Sequence, residues 1–206
     1  MSEIFEREPE YGNSSGRVNL TLYNGTKWRE ARLDKYTRAT TTIDYAHHEI
    51  HDGSHFFISG VATLSINNTF DMQFVTPNTT KWIHFLFKLD CESQTSWFIY
   101  EAAAILTSGA AISIYNNDRN SATLTSVAAF GTINASLAVA DTRTSTASAF
   151  LLESGIIGAG KNGGTESREN EIILKQNTTY LFRAIAVAAG YIVYSIGYYE
   201  HTNREV

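Results

Sequence analysis

Apolar residues at every second position are the strongest constraint this chain places on its own fold. Phe56, Ile58, Ala62, Leu64 and Ile66 lie on one side of a two-residue repeat and leave Ser59, Thr63 and Ser65 on the other, as a half-buried strand requires. Asn67-Asn68 interrupts the run and Phe70, Met72 and Phe74 resume it, which predicts a β-hairpin. Ile83, Phe85, Phe87 and Leu89 supply another inward face after Pro77-Asn78, and Trp97 to Tyr100 follows a polar turn. Between Ala102 and Phe150, Ala, Ser and Thr dominate, with breaks at Gly109, Asn116-Asn117 and Gly131, so shorter and less regular strands are expected. GIIGAGKNGG, Gly155 to Gly164, predicts a flexible loop. YIVYSIGYY, Tyr191 to Tyr199, is apolar on both faces, which suits a strand covered on both sides or lying at a subunit interface. Helical period is hard to find, and only Glu166 to Gln176 turns either way.

Short strands at even spacing with few helices predict an all-β protein: an antiparallel β-sandwich, jelly-roll or β-tulip-like, over residues 41–206. Residues 1–40 read as a separate arm. The first 16 lack any period, then Val18, Leu20 and Leu22 alternate and Asn24-Gly25 favours a tight turn into a second strand. Two strands alone are marginal in water, so this unit is expected to gain order by packing on a partner. Tyr23, Trp28, Arg29 and Arg32 are the candidate partner-binding residues, because buried aromatic rings and Arg side chains dominate protein interfaces.

Charge narrows the partners. A formal net charge of -5, with charged residues at 18% and no basic run, argues against a nucleic-acid backbone as ligand. Abundant Ser, Thr and Asn leave a neutral polar surface suited to protein contact. The most apolar stretch, Leu181 to Ile196, contains Arg183 and is too short to span a membrane. The charged opening, Met1 to Glu10, lacks the pattern of a secretory leader, so synthesis in a cytoplasm is expected. Seven Asn-x-Ser/Thr triplets, from Asn13 to Asn177, then reflect Asn/Thr-rich turns rather than glycan attachment.

Chemistry is sparse. Cys91 lies between Asp90 and Glu92, which raise a thiol's pKa, and reads as structural. The segment HHEIHDGSH concentrates His47, His48, Glu49, His51, Asp52 and His55, a set of metal-binding residue types. Thr40 to Ile43 and Asp52-Gly53 favour strand and turn here, and on a strand His47 and His51 stand roughly 13 Å apart. These histidines are therefore expected to be structural, with no metal, cofactor or catalytic residue. GAGKNGG lacks the context of a phosphate-binding loop. Trp28, Trp97, Tyr198 and Tyr199, if at the surface, can stack on sugar rings and keep a carbohydrate-binding alternative open, although core or interface packing is the commoner fate of such residues.

Several segments together carry a family likeness. YNGTKWREARLDKYTRA, Tyr23 to Ala39, resembles a short unit at the start of many phage virion proteins. IDYAHHEIHDGSHFFI, the pair TPNTTKWIHFLFKL and LKQNTTYLFRAIAV, and the ending YYEHT at Tyr198 to Thr202 resemble a family of phage structural proteins that decorate the capsid. Tyr198 stands where that family's ending carries Trp, and the Ala-rich middle also departs from the pattern. The resemblance implies a non-enzymatic decoration or cement protein on the capsid surface of a virion. It equally allows a related head-attached protein, and it implies a homo-oligomer, often a homotrimer in that family, that binds the phage major capsid protein or another virion protein.

Overall fold

The computed structural model describes residues 21–23, 28–30, 45–122, 126, 128–138, 144–164 and 171–202. The chain divides into two compact units, Met1–Asp44 and Tyr45–Val206. In the first, strands β1 (Thr21–Tyr23) and β2 (Trp28–Glu30) pair antiparallel, with Tyr23 opposite Trp28 and Leu22 opposite Arg29.

The second unit opens with a short helix, α1 (Tyr45–His51), and its other elements among the described residues are strands. These are β3 (His55–Leu64), β4 (Asn68–Val75), β5 (Lys81–Cys91), β6 (Thr95–Glu101), β7 (Ala104–Ile105), β8 (Ala110–Ala111) and β9 (Tyr115–Asn116). There follow β10 (Ala129–Ala138), β11 (Thr144–Ser145), β12 (Phe150–Ile157), β13 (Lys161–Gly164), β14 (Ile172–Leu174), β15 (Thr179–Ala186) and β16 (Gly190–Thr202). One sheet has the order β13-β5-β16-β3-β9, with β14 also on β5, and the other β12-β6-β15-β4-β10-β8. The pairings within both are antiparallel. The fold is thus an all-β antiparallel sandwich.

Alternation explains the core. Phe56 and Ile58 on β3, Phe85 and Phe87 on β5, and Ile196 and Tyr198 on β16 point from one sheet. They meet Phe70 and Phe74 on β4, Ile99 on β6 and Phe182 on β15 from the other. Phe74 is a hub, with ring centroids 4.9 Å from Phe85, 5.4 Å from Phe130 and 5.2 Å from Tyr180. Cys91 ends β5 inside this core, and burial pushes its thiol pKa up, as expected of a structural thiol.

Three expectations are corrected. Residues 56–74 do not form a hairpin, since β3 and β4 lie in opposite sheets. Asn67 adopts φ 60° and its N–H bonds the Ala186 carbonyl at the end of β15, at 2.9 Å, handing the chain across the sandwich. Side chains of two strands that face each other across a core alternate just as those of a hairpin do, so period alone cannot separate the two cases. Ile66 falls in this turn and is exposed rather than inward. GIIGAGKNGG is not a loop throughout: β12 and β13 take its ends, and the turn between them uses Gly160 at φ 64°. The irregular middle is as expected, with two-residue strands β7, β8, β9 and β11 and two register shifts in β10.

Candidate functional site

The histidine-rich segment forms a helix, not a strand. Its stop explains why: Gly53 takes φ 70°, its N–H bonds the Ile50 carbonyl at 3.0 Å and the Ser54 N–H bonds that of Glu49 at 3.0 Å. This paired closure is a glycine C-cap, so Asp52-Gly53 ends a helix rather than turning a strand. His47 and His51 consequently meet one turn apart, Nε2 to Nε2 at 3.0 Å on the exposed face. His48 Nδ1 lies 3.4 Å from Asp52. Glu49, on the buried side, accepts from the Ser54 hydroxyl. His55 already belongs to β3.

A second group of polar side chains gathers on the outward face of β3, β16 and β5. Register places His55, Tyr199 and His84 in one row across those strands, with Ile173 of β14 beyond His84. Tyr199 stacks on His84, ring centroids 4.4 Å apart. His84 Nδ1 pairs with Glu171, which also accepts from the Tyr199 hydroxyl at 2.7 Å. His201 Nε2 stands 2.7 Å from His84 Nε2, and its Nδ1 is 2.8 Å from the Thr202 carbonyl. Burial lowers the His84 pKa, and hydrogen bonding to Glu171 partly offsets it. One residue away, on the inward face, Glu200 accepts from Ser126 and from the Ala128 N–H at 3.3 Å.

This place joins distant stretches of chain: Ser54 and His55, then His84, then Tyr199 to His201 lie in the IDYAHHEIHDGSHFFI, TPNTTKWIHFLFKL and YYEHT segments. The two Asn-Thr-Thr turns also meet. Thr76 and Thr178 exchange hydrogen bonds, N–H to carbonyl at 3.0 Å and N–H to hydroxyl at 2.9 Å. Among the described residues no three His, Cys, Asp or Glu side chains converge to hold a metal ion.

The remaining feature is apolar. β12 ends its sheet and, among the described residues, pairs only with β6. Phe150, Leu151, Leu152 and Ile156 on it are 67%, 52%, 41% and 70% exposed. Gly155 leaves room for the Trp97 indole beneath, since a Cβ there would lie 2.8 Å from the ring.

Of the expected partner-binding residues, Tyr23, Trp28 and Arg29 sit on the β1–β2 pair and Arg32 lies outside the described residues. Of the aromatics that a carbohydrate site would need at the surface, Trp97, Tyr198 and Tyr199 are buried, the commoner fate of such side chains. Among the described residues the exposed Trp, Tyr and Phe rings are Trp82, Tyr115, Phe150 and Tyr191. β16 is a central strand, covered on its inner face, while Tyr191 and Ser195 look outward into solvent. Sequence reasoning missed His84, Glu171 and His201 because they are isolated in sequence, and only the outward position of His84 between Ile83 and Phe85 hinted at them.

No family model matches the chain, and comparison with curated proteins and with solved structures gave no match either. What the fold and site define is an all-β sandwich with an exposed apolar edge.

Proposed function

We propose that this chain is a non-enzymatic structural protein of a phage virion, binding capsid or neighbouring subunits to stabilise or decorate the head. We also read its eight long-range strands as a jelly roll. The orders β3-β16-β5-β13 and β4-β15-β6-β12 place consecutive members of the series in opposite sheets at most steps, as a double Greek key does. Jelly rolls serve viral shells, lectins and cupins alike, so the choice among these rests on the site.

The observation that carries the reading is β12. An edge strand with no second partner among the described residues and with four exposed large apolar residues invites pairing with another chain, and only two prolines occur in the sequence to blunt such edges. In a shell of repeated subunits that edge is covered, and many modest contacts act together. The cupin alternative fares poorly, because the space between the sheets is filled by Phe74, Phe85, Phe130 and Tyr198 and the histidines lie outside it. A lectin reading keeps one support, the exposed Trp82, Tyr115 and Tyr191.

Leu151→Lys with Ile156→Lys tests the proposal. Both side chains are more than half exposed, so urea unfolding should move by no more than about 0.5 kcal/mol per site. Binding to particles or to other copies should fall at least tenfold in a sedimentation assay. Unchanged binding would remove β12 as the contact, and glycan binding lost on Tyr191→Ala would favour the lectin reading.

A further inference from the structure

We propose that two copies of this chain join through β12, strand against antiparallel strand, about a twofold axis at Ser154. The inference rests on the reading of β12 as a subunit contact and names the partner as a second copy. Among the described residues β12 pairs only with β6, so one row of its backbone N–H and C=O groups is open to a further strand. Glu153 is its one charged side chain, and it carries neither Pro nor Lys to block such an addition. Leu152, Ser154 and Ile156 are exposed, while Glu153, Gly155 and Ile157 turn toward the core and are half-buried or buried.

The sequence of β12 matches itself in one register. Residues opposite each other across an antiparallel pair share a face, so a strand that meets its own copy about a twofold axis has one residue facing itself there. An axis at Glu153 would oppose two carboxylates directly, which destabilises a pair. An axis at Leu152 or Gly155 would set Glu153 against apolar Leu151 or Ile157. With the axis at Ser154, Ile156 of each copy meets Leu152 of the other, and these side chains are 70% and 41% exposed in the single chain. Glu153 then comes opposite Gly155, where no side chain stands in its way. The Trp97 indole lies beneath Gly155, its Nε1 2.8 Å from the place a Cβ would take. Trp97 is 6% exposed and its N–H has no acceptor among the described residues, although a buried indole N–H usually finds one. The second copy's Glu153 brings a carboxylate to that N–H. Where copies also group as trimers, such a twofold contact joins one trimer to the next.

Cysteine cross-linking of the full chain tests the register. Residues facing each other across antiparallel strands have Cα atoms roughly 4.5–5.5 Å apart, inside the span of roughly 4.4–6.8 Å that a disulfide bridges. Ser154→Cys, an exposed and nearly isosteric change, should therefore give a covalent dimer on mild oxidation by copper phenanthroline, read by mass on a non-reducing gel. Ile156→Cys should not, because the two copies of residue 156 stand four residues out of register, roughly 13 Å along the strand. The unsubstituted chain, whose Cys91 is buried, should stay uncross-linked while sedimenting as a reversible dimer at high concentration. A chain that stays monomeric at every concentration, a Ser154→Cys variant that does not cross-link, or equal cross-linking at residue 156 would each overturn the proposal. If Ser154→Cys fails while Leu151→Lys with Ile156→Lys still abolishes particle binding, β12 meets a different chain, and the twofold pairing falls while the structural role stands.

Discussion

Asp71→Ala is expected to cost the sandwich about 3–5 kcal/mol of stability, the range for removing one partner of a buried ion pair. Asp71 faces away from the main core on β4, directly opposite Arg183 on β15, and is fully buried. Arg183 Nε and Nη2 donate to its two oxygens at 2.7 and 2.6 Å, and the Thr144 hydroxyl donates at 2.9 Å. Thr144 comes from β11, which with β7 forms a two-stranded flap. Nearby, Leu181, Ala103 and Ile105 pack into a second, smaller apolar cluster. Removing the carboxylate leaves a guanidinium with little solvent to receive it, because the Arg183 side chain is itself only 14% exposed. Joint replacement by Asp71→Leu and Arg183→Met should recover most of the loss, since apolar pairs of similar volume substitute well for buried ion pairs. Urea unfolding measures both. A loss under 1 kcal/mol in the single variant would mean that the network does not hold the flap.

Phe74→Ala should cost a comparable amount, about 3–5 kcal/mol. Its ring lies parallel to that of Tyr180 on the neighbouring strand β15, at an interplanar angle of 7°, and reaches across the sandwich to Phe85 on β5. The cavity would open between the two sheets, where rigid strands relax little, so the loss should sit near the top of the range. Phe74→Leu keeps part of the volume and should cost less. Equal effects from the two variants would contradict the packing account.

Strand positions, inward residues and the all-β class were legible because burial imposes a period of two. Partner choice was not: β3 and β4 show the alternation of a hairpin yet face each other across the core. Helix α1 was missed for a different reason. Seven residues rich in His show little period, and Asp52-Gly53 favours strand and turn by residue type although a glycine just past a His-bearing turn is also a helix stop. Residue type alone lets Trp97, Tyr198 and Tyr199 serve a surface or a core, and the structure buries all three. The cluster of His84, Glu171 and His201 draws on residues 87 and 117 positions apart in sequence, a separation that no local pattern bridges.

Electron cryo-microscopy of virus particles purified from the culture in which the chain is naturally made tests the proposed role of this chain as a subunit-binding component of a particle. The expected result is ordered copies of the sandwich on the shell, grouped as trimers, with the β12 edge covered by a neighbouring subunit. Particles that lack the chain, with all of it in the soluble fraction, would contradict the account.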